Sequence, residues 1–432
     1  MKKAASFALG CKVNQYESEA IAELFAEKGY EIVGIEDEAD VYVINTCTVT
    51  NFGDKKSRQL IRKVKRQNEN AIVAVVGCYA QTAPKELMQV EGVNLVIGTK
   101  DRAQIVEMVE NYDVNRGVEN HVTDIMKERI FEPLSIQKLA NRTRAYLKIQ
   151  DGCSQYCSYC IIPYARGPIR SREPQEVLAE VKRLADNGFK EVVLTGIHVA
   201  SYGKDRRDTS LLEILRQVHE VEGIERIRFS SIEPNVVTEE FAQTMAELPK
   251  VCDHFHLSLQ SGCDKTLKEM NRKYDTEKYR QAAAILRKHL PHVALTTDII
   301  VGFPGETEED FKESYAFAEE IGFAKIHVFP YSPKKGTPAA ERKDQLPNAV
   351  KSERSHTLIA LSDKMAQDFL QPYIGQEVEV LFERAVGEGI YEGHTTNYIK
   401  VRAAAARDLT NSICMVHITA AEQEELHGEV KA

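Results

Sequence analysis

The stretch DGCSQYCSYCIIPYARG, residues 151–167, decides the reading of this chain. It carries Cys153, Cys157 and Cys160 as Cys-x3-Cys-x2-Cys. Three thiolates so spaced hold three corners of a cubane iron–sulfur cluster. The fourth iron is left open to a small molecule that can be reduced there. A zinc site is the alternative, but zinc takes four ligands, often from paired Cys-x2-Cys units. No histidine lies nearby; His198 is the next along the chain. Tyr159, one before the last cysteine, is placed to stack on a flat ligand or to pack in a core.

Outward from this loop the pattern is strand then helix. Apolar strands are expected near 145–149, 190–195, 226–229, 254–259, 293–300 and 324–330. Helical periodicity follows at 173–187, 209–221, 238–247, 275–289 and 307–321. A closed eight-unit barrel takes about 250 residues. The six units here predict an open, partial (β/α)6 barrel over 139–370. Barrel chemistry sits at the C-terminal strand ends, where the cysteine loop falls. Earlier in the chain, strands at 4–9, 31–35, 41–45, 71–76 and 94–97 alternate with helices, which predicts a parallel-sheet α/β domain over 1–115. Residues 116–138 read as a polar linker. Short alternating segments such as QEVEVLFE and YIKVRA predict a small closed β-barrel over 371–432.

Cys11, Cys47 and Cys78 form a second trio. SFALGC, VYVINTC and VAVVGC each deliver a cysteine just past the C-terminal end of an expected strand. In open parallel sheets those ends form the ligand crevice. Isolated cysteines are also common small buried hydrophobes, and that reading stays open. Cys252, Cys263 and Cys414 lack such a setting and read as unligated thiols.

The totals exclude some classes. The 432 residues are too many for one ordinary core, so two or three domains are expected. No run of 18 apolar residues suggests a membrane span. The N-terminus reads as a first strand and not as a signal peptide. These features point to the cytoplasm, where clustered cysteines serve metal or catalysis. Net charge is −9, so any nucleic-acid contact must come from local patches. KKSRQLIRKVKR, 55–66, holds seven Lys/Arg and no acid. Arg142, Arg144 and Lys148 precede the cysteine loop, and Arg166, Arg170 and Arg172 end it; these read as phosphate contacts flanking the site. The last domain is acidic, with five Lys/Arg against ten Asp/Glu. Any RNA patch there would centre on Arg384, Lys400 and Arg402, with Tyr391, His394 or Tyr398 to stack.

The cysteine run with Tyr159 resembles the signature of radical S-adenosylmethionine enzymes. GCKVNQYES, NTCTVT, VVGCYAQ, CSYCIIPYARG, LSLQSGCDKTLKEMNR, TTDIIVGFPGET and PYSPKKGTPA together resemble the methylthiotransferases over essentially the whole chain. GCKVNQYES and HLSLQSGC resemble most the branch acting on threonylcarbamoyladenosine 37 of tRNA. The resemblance implies two [4Fe-4S] clusters, one on Cys153, Cys157 and Cys160 and an auxiliary one on Cys11, Cys47 and Cys78. It implies S-adenosylmethionine as cofactor and methyl source, an electron donor such as flavodoxin or ferredoxin, and a tRNA anticodon loop as partner. It implies a C-terminal barrel of the TRAM type. Thr195 and Gly196 end the strand where radical enzymes often carry a Gly-Gly-Glu-like motif for the cofactor's amino group; the wording here departs from that motif. Ser230, Gln260 and Asp298, at later strand ends, are candidates for ribose or carboxylate contacts, or for caps of the next helix or turn. Methylthiolation of isopentenyladenosine or of a ribosomal-protein side chain stays open, as does a non-catalytic iron–sulfur RNA-binding role.

Overall fold

A computed structural model describes residues 1–136 and 143–430. Arg142 therefore lies outside the described residues. The N-terminal strands are β1 (Lys3–Ala8), β2 (Glu31–Ile32), β3 (Val41–Thr46), β4 (Ile72–Gly77), β5 (Leu95–Val96) and β6 (Glu119–Asn120). They form one parallel sheet in the order β2-β1-β3-β4-β5-β6. β3 is buried along its whole length, as its apolar run requires of a central parallel strand. Helices α1 (Lys12–Glu27), α2 (Asn51–Gln67), α3 (Cys78–Thr82), α4 (Pro84–Leu87) and α5 (Ile105–Glu110) accompany the sheet. Two apolar clusters cover its two faces.

The segment expected to be a linker is packed. β6 extends the sheet, and Leu134 and Ile136 bury against Tyr16 and Ala20. Their apolar residues are too scattered to show a period in sequence.

The central unit runs β7 (Arg144–Asp151), α6 (Ile162–Arg166), β8 (Arg170–Ser171), α7 (Pro174–Asp186), β9 (Glu191–Gly196), α8 (Leu211–His219), β10 (Arg226–Phe229), α9 (Glu239–Glu247), β11 (His254–His256), α10 (Asp264–Glu269), α11 (Thr276–His289), β12 (Ala294–Val301), α12 (Glu308–Ile321), β13 (Lys325–Pro330) and α13 (Asn348–Leu370). β7, β9 and β10 are parallel neighbours, as are β11, β12 and β13. The Ile227–Val251 and Ile232–Leu257 bridges join the two sets. This is the open six-strand barrel expected. The antiparallel β8 flanks β7.

β14 (Glu377–Gly387), β15 (Ile390–Thr395), β16 (Lys400–Ala404), β17 (Ile413–Glu422) and β18 (Glu425–Val430) close into the expected small barrel. It docks on the N-terminal ends of the central strands through charge. Glu379 pairs with Arg226 at 2.7 Å, and Glu383 with Arg144 at 2.9 Å. Arg228 donates to Thr396 O at 2.9 Å and lies 4.7 Å from the Tyr398 ring centre. Tyr398 also stacks on His394 at 4.7 Å and lies 5.0 Å from the His254 ring. These contacts correct the RNA-stacking expectation for Tyr398 and His394, which pack inward. Arg384, Lys400 and Arg402 are each paired with Glu392 or Glu425. The expected basic patch is thus neutralised within its own domain, and Tyr391 packs on the small barrel's core.

Glu191 is buried between Arg228 at 2.9 Å and Arg144 at 4.0 Å. Burial opposes its charge, but the guanidiniums, Arg228 first, hold its carboxyl below the usual range. Removing one partner strands a buried charge. Glu191→Leu is expected to cost about 3–5 kcal/mol in chemical denaturation. Adding Arg228→Met should recover part of that loss.

Candidate active site

The sheet places Cys11, Cys47 and Cys78 as their sequence context predicts. Cys47 directly follows β3, Cys78 directly follows β4, and Cys11 caps α1 in the loop after β1. Gly10 lets two of these loops touch. Its φ is +98°, and a Cβ there would lie 2.5 Å from Cys47 Cβ. Asn14 straps the strand ends, donating to Leu9 O at 2.8 Å and to Thr46 O at 3.0 Å. Burial first, then Cys78 and Cys11, push the Cys47 thiol up to about 12. A metal held by this thiol would have to displace its proton.

The second trio lies between β7 and α6. Burial, above all, pushes Cys153 up to about 11 and Cys160 up to about 12, with Cys157 adding to both. Arg272 Nη1 donates to Cys157 Sγ at 3.1 Å. Glu233 holds Arg272 at 2.8 Å, with Gln155 at 3.1 Å and His198 at 3.1 Å on its other oxygen.

The first trio has a matching donor. Arg166, wholly buried at the end of α6, donates from Nε to Cys78 Sγ at 3.1 Å. Its Nη2 reaches Asn14 Oδ1 at 2.7 Å and Glu17 Oε2 at 3.0 Å. The helix that follows Cys160 therefore carries the side chain that grips the sulfur of Cys78. Arg102 at 2.6 Å and Lys148 at 2.7 Å also converge on Glu17. Lys148, Arg166 and Arg170 all approach Asp151.

These contacts overturn the phosphate reading of the arginine-rich flanks. Lys148, Arg166, Arg170 and Arg172 are buried and paired, the last with Glu180 at 2.6 Å. Run composition revealed the charge but not its partners. Arg272 carried no local signal beyond its place in LSLQSGCDKTLKEMNR. On α2 the reading fares differently. Arg58 pairs with Glu86, and Lys63 with Glu36. Lys55, Lys56, Arg62 and Arg66 have no carboxylate partner among the described residues, and Lys56 lies over the exposed Phe52 ring at 4.7 Å.

Of the expected cofactor contacts, Thr195, Gly196, Ser230 and Gln260 fall at or just past strand ends, whereas Asp298 lies within β12. Thr195 is buried at the end of β9 beside Gly196, where a Cβ would meet Gln150 Oε1 at 2.8 Å. That same oxygen accepts from His198 N at 2.7 Å. Ser230 Oγ is buried with no hydrogen-bond partner among the described residues. Gln260 is in a left-handed conformation, φ +72°, bonded through its backbone to Asp298 O and Ile300 N. The Asp298 carboxylate faces His256 at 3.3 Å. Neither Gln260 nor Asp298 caps a helix. Tyr159 is half-buried against Met270, Phe303, Tyr331 and Ala339, which favours its packing role.

Among the described residues no three Cys, His, Asp or Glu side chains close to the spacing of a single ion. A cubane asks for a wider set, because each thiolate binds a different iron. The donor chemistry fits one: soft sulfurs, each trio with an arginine N–H on one of them, the kind of hydrogen bond that sets cluster potentials.

Comparison with known proteins identifies the family. Residues 147–318 match the radical SAM superfamily model, and residues 3–98 match the uncharacterized protein family UPF0004. Among solved structures, the radical S-adenosylmethionine methyltransferase TsrM from Kitasatospora setae superposes with a TM-score of 0.58 at 16% identity, covering 79% of this chain and 77% of that one, a likeness of fold. Fold and site thus define a radical S-adenosylmethionine enzyme, a class implying a [4Fe-4S] cluster and S-adenosylmethionine. A threonylcarbamoyladenosine tRNA methylthiotransferase MtaB of Bacillus subtilis is 47% identical over 97% of this chain and 94% of its own length. A namesake from Aquifex aeolicus is 39% identical over 94% and 98%. A tRNA-2-methylthio-N(6)-dimethylallyladenosine synthase of Moorella thermoacetica is 36% identical over 98% and 96%. The chain belongs to the radical SAM tRNA methylthiotransferase family, with MtaB-like relatives. Among the described residues no helix is long and apolar enough to cross a membrane.

Arg166→Gln removes the donor to Cys78 and leaves Glu17 short of one cation. The variant, reconstituted with iron and sulfide, is expected to lose cluster iron. A variant already lacking Cys11, Cys47 and Cys78 should lose none further when Arg166→Gln is added. Equal loss in both backgrounds would place the effect elsewhere.

Proposed function

We propose that this enzyme methylthiolates carbon 2 of N6-threonylcarbamoyladenosine at position 37 of tRNA. The observation that carries the reading is the pair of cysteine trios joined through Arg166. Cys153, Cys157 and Cys160 would hold the cluster that binds S-adenosylmethionine, and Cys11, Cys47 and Cys78 the auxiliary cluster. When bound, these groups supply reductive cleavage of the sulfonium and the sulfur and methyl to be transferred. Both must act on one carbon, so their separation has to be fixed. Arg166 fixes it from the chain's side, because one short helix, α6, follows the second trio and bonds the first.

The remaining residues position and insulate. Arg272 directs an N–H at Cys157, and Glu233 keeps it there. Ser230 Oγ is available to a polar atom of the cofactor, as are the backbone of Thr195 and Gly196 and the side chains of Gln260 and Asp298. An electron donor such as flavodoxin or ferredoxin would supply the electron. The tRNA anticodon loop would be held by the unpaired cations of α2, with Phe52 available to stack.

Nucleoside analysis of total tRNA from cells with and without the gene tests the reaction. Deletion is expected to abolish 2-methylthio-threonylcarbamoyladenosine while its precursor without the methylthio group accumulates. An unchanged profile in cells with no second such enzyme would sink the proposal. Reversing Lys55 and Arg62 to Glu should weaken tRNA binding on all sequences alike. It should also flatten the salt dependence by about one log–log unit for each phosphate no longer neutralised.

A further inference from the structure

A cavity of about 330 Å3 lies where the barrel interior, α13, the small barrel and the start of α1 meet. That is the small end of ligand-sized pockets, roughly 300–1,000 Å3. Lys12, His254, His256, Thr296, His327 and Tyr398 are among its walls. Two observations tie it to the active site. Lys12 directly follows Cys11. His256 faces Asp298, a proposed cofactor contact, at 3.3 Å.

The wall mixes apolar residues (Ala294, Ala324, Ala366, Phe369, Leu370 and Ile399) with hydrogen-bonding groups, and Glu424 is an acid among them. Two of its lysines are already neutralised: Lys325 by Asp363 and Glu424, and Lys400 by Glu425. Lys12 has no carboxylate within ion-pair distance among the described residues. Its companions are the Tyr146 ring at 5.9 Å and the like charges of Arg144 and Arg228. Burial first, then those guanidiniums, push its ammonium below the usual lysine range. The opposite charge that acts on it is Glu191, which Arg228 and Arg144 already hold. His254 is more than nine-tenths buried, and its Nδ1 has no hydrogen-bond partner among the described residues; its Nε2 faces Thr296 Oγ1 at 3.1 Å. Thr296 Oγ1 is shared with His256 at 3.0 Å. An apolar branch placed here would leave the ammonium and an imidazole nitrogen unpaired, which is unfavourable for buried polar groups. An anion with hydrogen-bond acceptors would satisfy both.

We propose that this cavity receives the carboxylate-bearing arm on N6 of the target adenosine, with Lys12 as its counter-ion, and that it selects a threonylcarbamoyl over a dimethylallyl group. The inference rests on the proposed substrate and names the part of the site that reads it. The arginines that end the cysteine loop are spent on Glu17, Asp151 and Glu180. Lys12 is the cation left over beside Cys11.

The test is binding, read by fluorescence anisotropy with reconstituted enzyme. Three versions of one anticodon stem-loop are compared: threonylcarbamoyladenosine at 37, its methyl ester, and plain adenosine. The parent is expected to prefer the acid to the ester by on the order of tenfold or more, the worth of one charge-assisted hydrogen bond. Lys12→Met should erase that preference, with iron content unchanged as the check on Cys11, and Lys12→Arg should keep most of it. A parent that prefers the acid while Lys12→Met does so equally would overturn the pocket assignment alone. A parent that binds neither acid nor ester better than plain adenosine would overturn the substrate reading with it.

Discussion

The docking of the N-terminal domain on the central barrel depends on one buried carboxylate, Glu17. It is wholly inaccessible and meets three cations: Arg102 from its own domain, and Lys148 and Arg166 from the barrel. Burial alone would favour the neutral acid, yet these charges hold it well below the usual carboxylate range. Asp151 takes up Lys148, Arg166 and Arg170 in the same way. With Glu132 on Arg102, the network sets four cations against three carboxylates. The surplus positive charge faces Cys78 through Arg166. A deprotonated, cluster-bound sulfur would supply the missing negative charge. On the proposed function, domain docking and cluster binding would be coupled by electrostatics, since buried charges without partners cost several kcal/mol.

The same accounting explains the acidic C-terminal barrel. The bottom of the central barrel is lined by Arg144, Arg226 and Arg228, for which Glu191 is too little compensation. Glu379 and Glu383 of the small barrel complete the pairing, and Tyr398 lies beside two of the guanidiniums. Its negative charge is thus partly an internal matter and no obstacle to RNA binding elsewhere. The domain also contributes Tyr398 and Lys400 to the wall of the cavity, so it shapes that space whether or not it touches RNA.

What was legible in the sequence was what is local. Cysteines at strand ends, the tight Cys-x3-Cys-x2-Cys loop and the alternation of strand and helix are all patterns within a dozen residues, and the fold reproduces them. What was misread was pairing at a distance. Lys148 lies 131 residues from Glu17, and Arg166 lies 149 residues from it. A basic run with no nearby acid looks like a surface patch whether its partners are phosphates or carboxylates from another domain. On α2 that reading stays open, because four of its cations lack carboxylate partners among the described residues. Tyr398 failed for the same reason: an aromatic among polar residues resembles a stacking platform until the arginines beside it are in view.

Why GCKVNQYES reads as a single block follows from helical geometry. Cys11 caps α1, and the next residues divide its faces by the 3.6-residue turn. Lys12 and Tyr16, one turn apart, both face the barrel. Lys12 reaches the cavity, while Tyr16 bonds Leu134 O and Glu180. Asn14 and Glu17, three apart, share another face, and Arg166 bonds both. Asn14 also ties the carbonyls that precede Cys11 and Cys47. One and a half turns thus carry a thiol, a pocket cation, a strap for two strand ends and the anchor of the domain interface. A one-residue shift within this block would rotate each side chain by about 100° and separate the thiols from the arginine that joins them to the second trio. The spacing of these residues, as much as their identity, sets how the first cysteine trio meets the helix that follows the second.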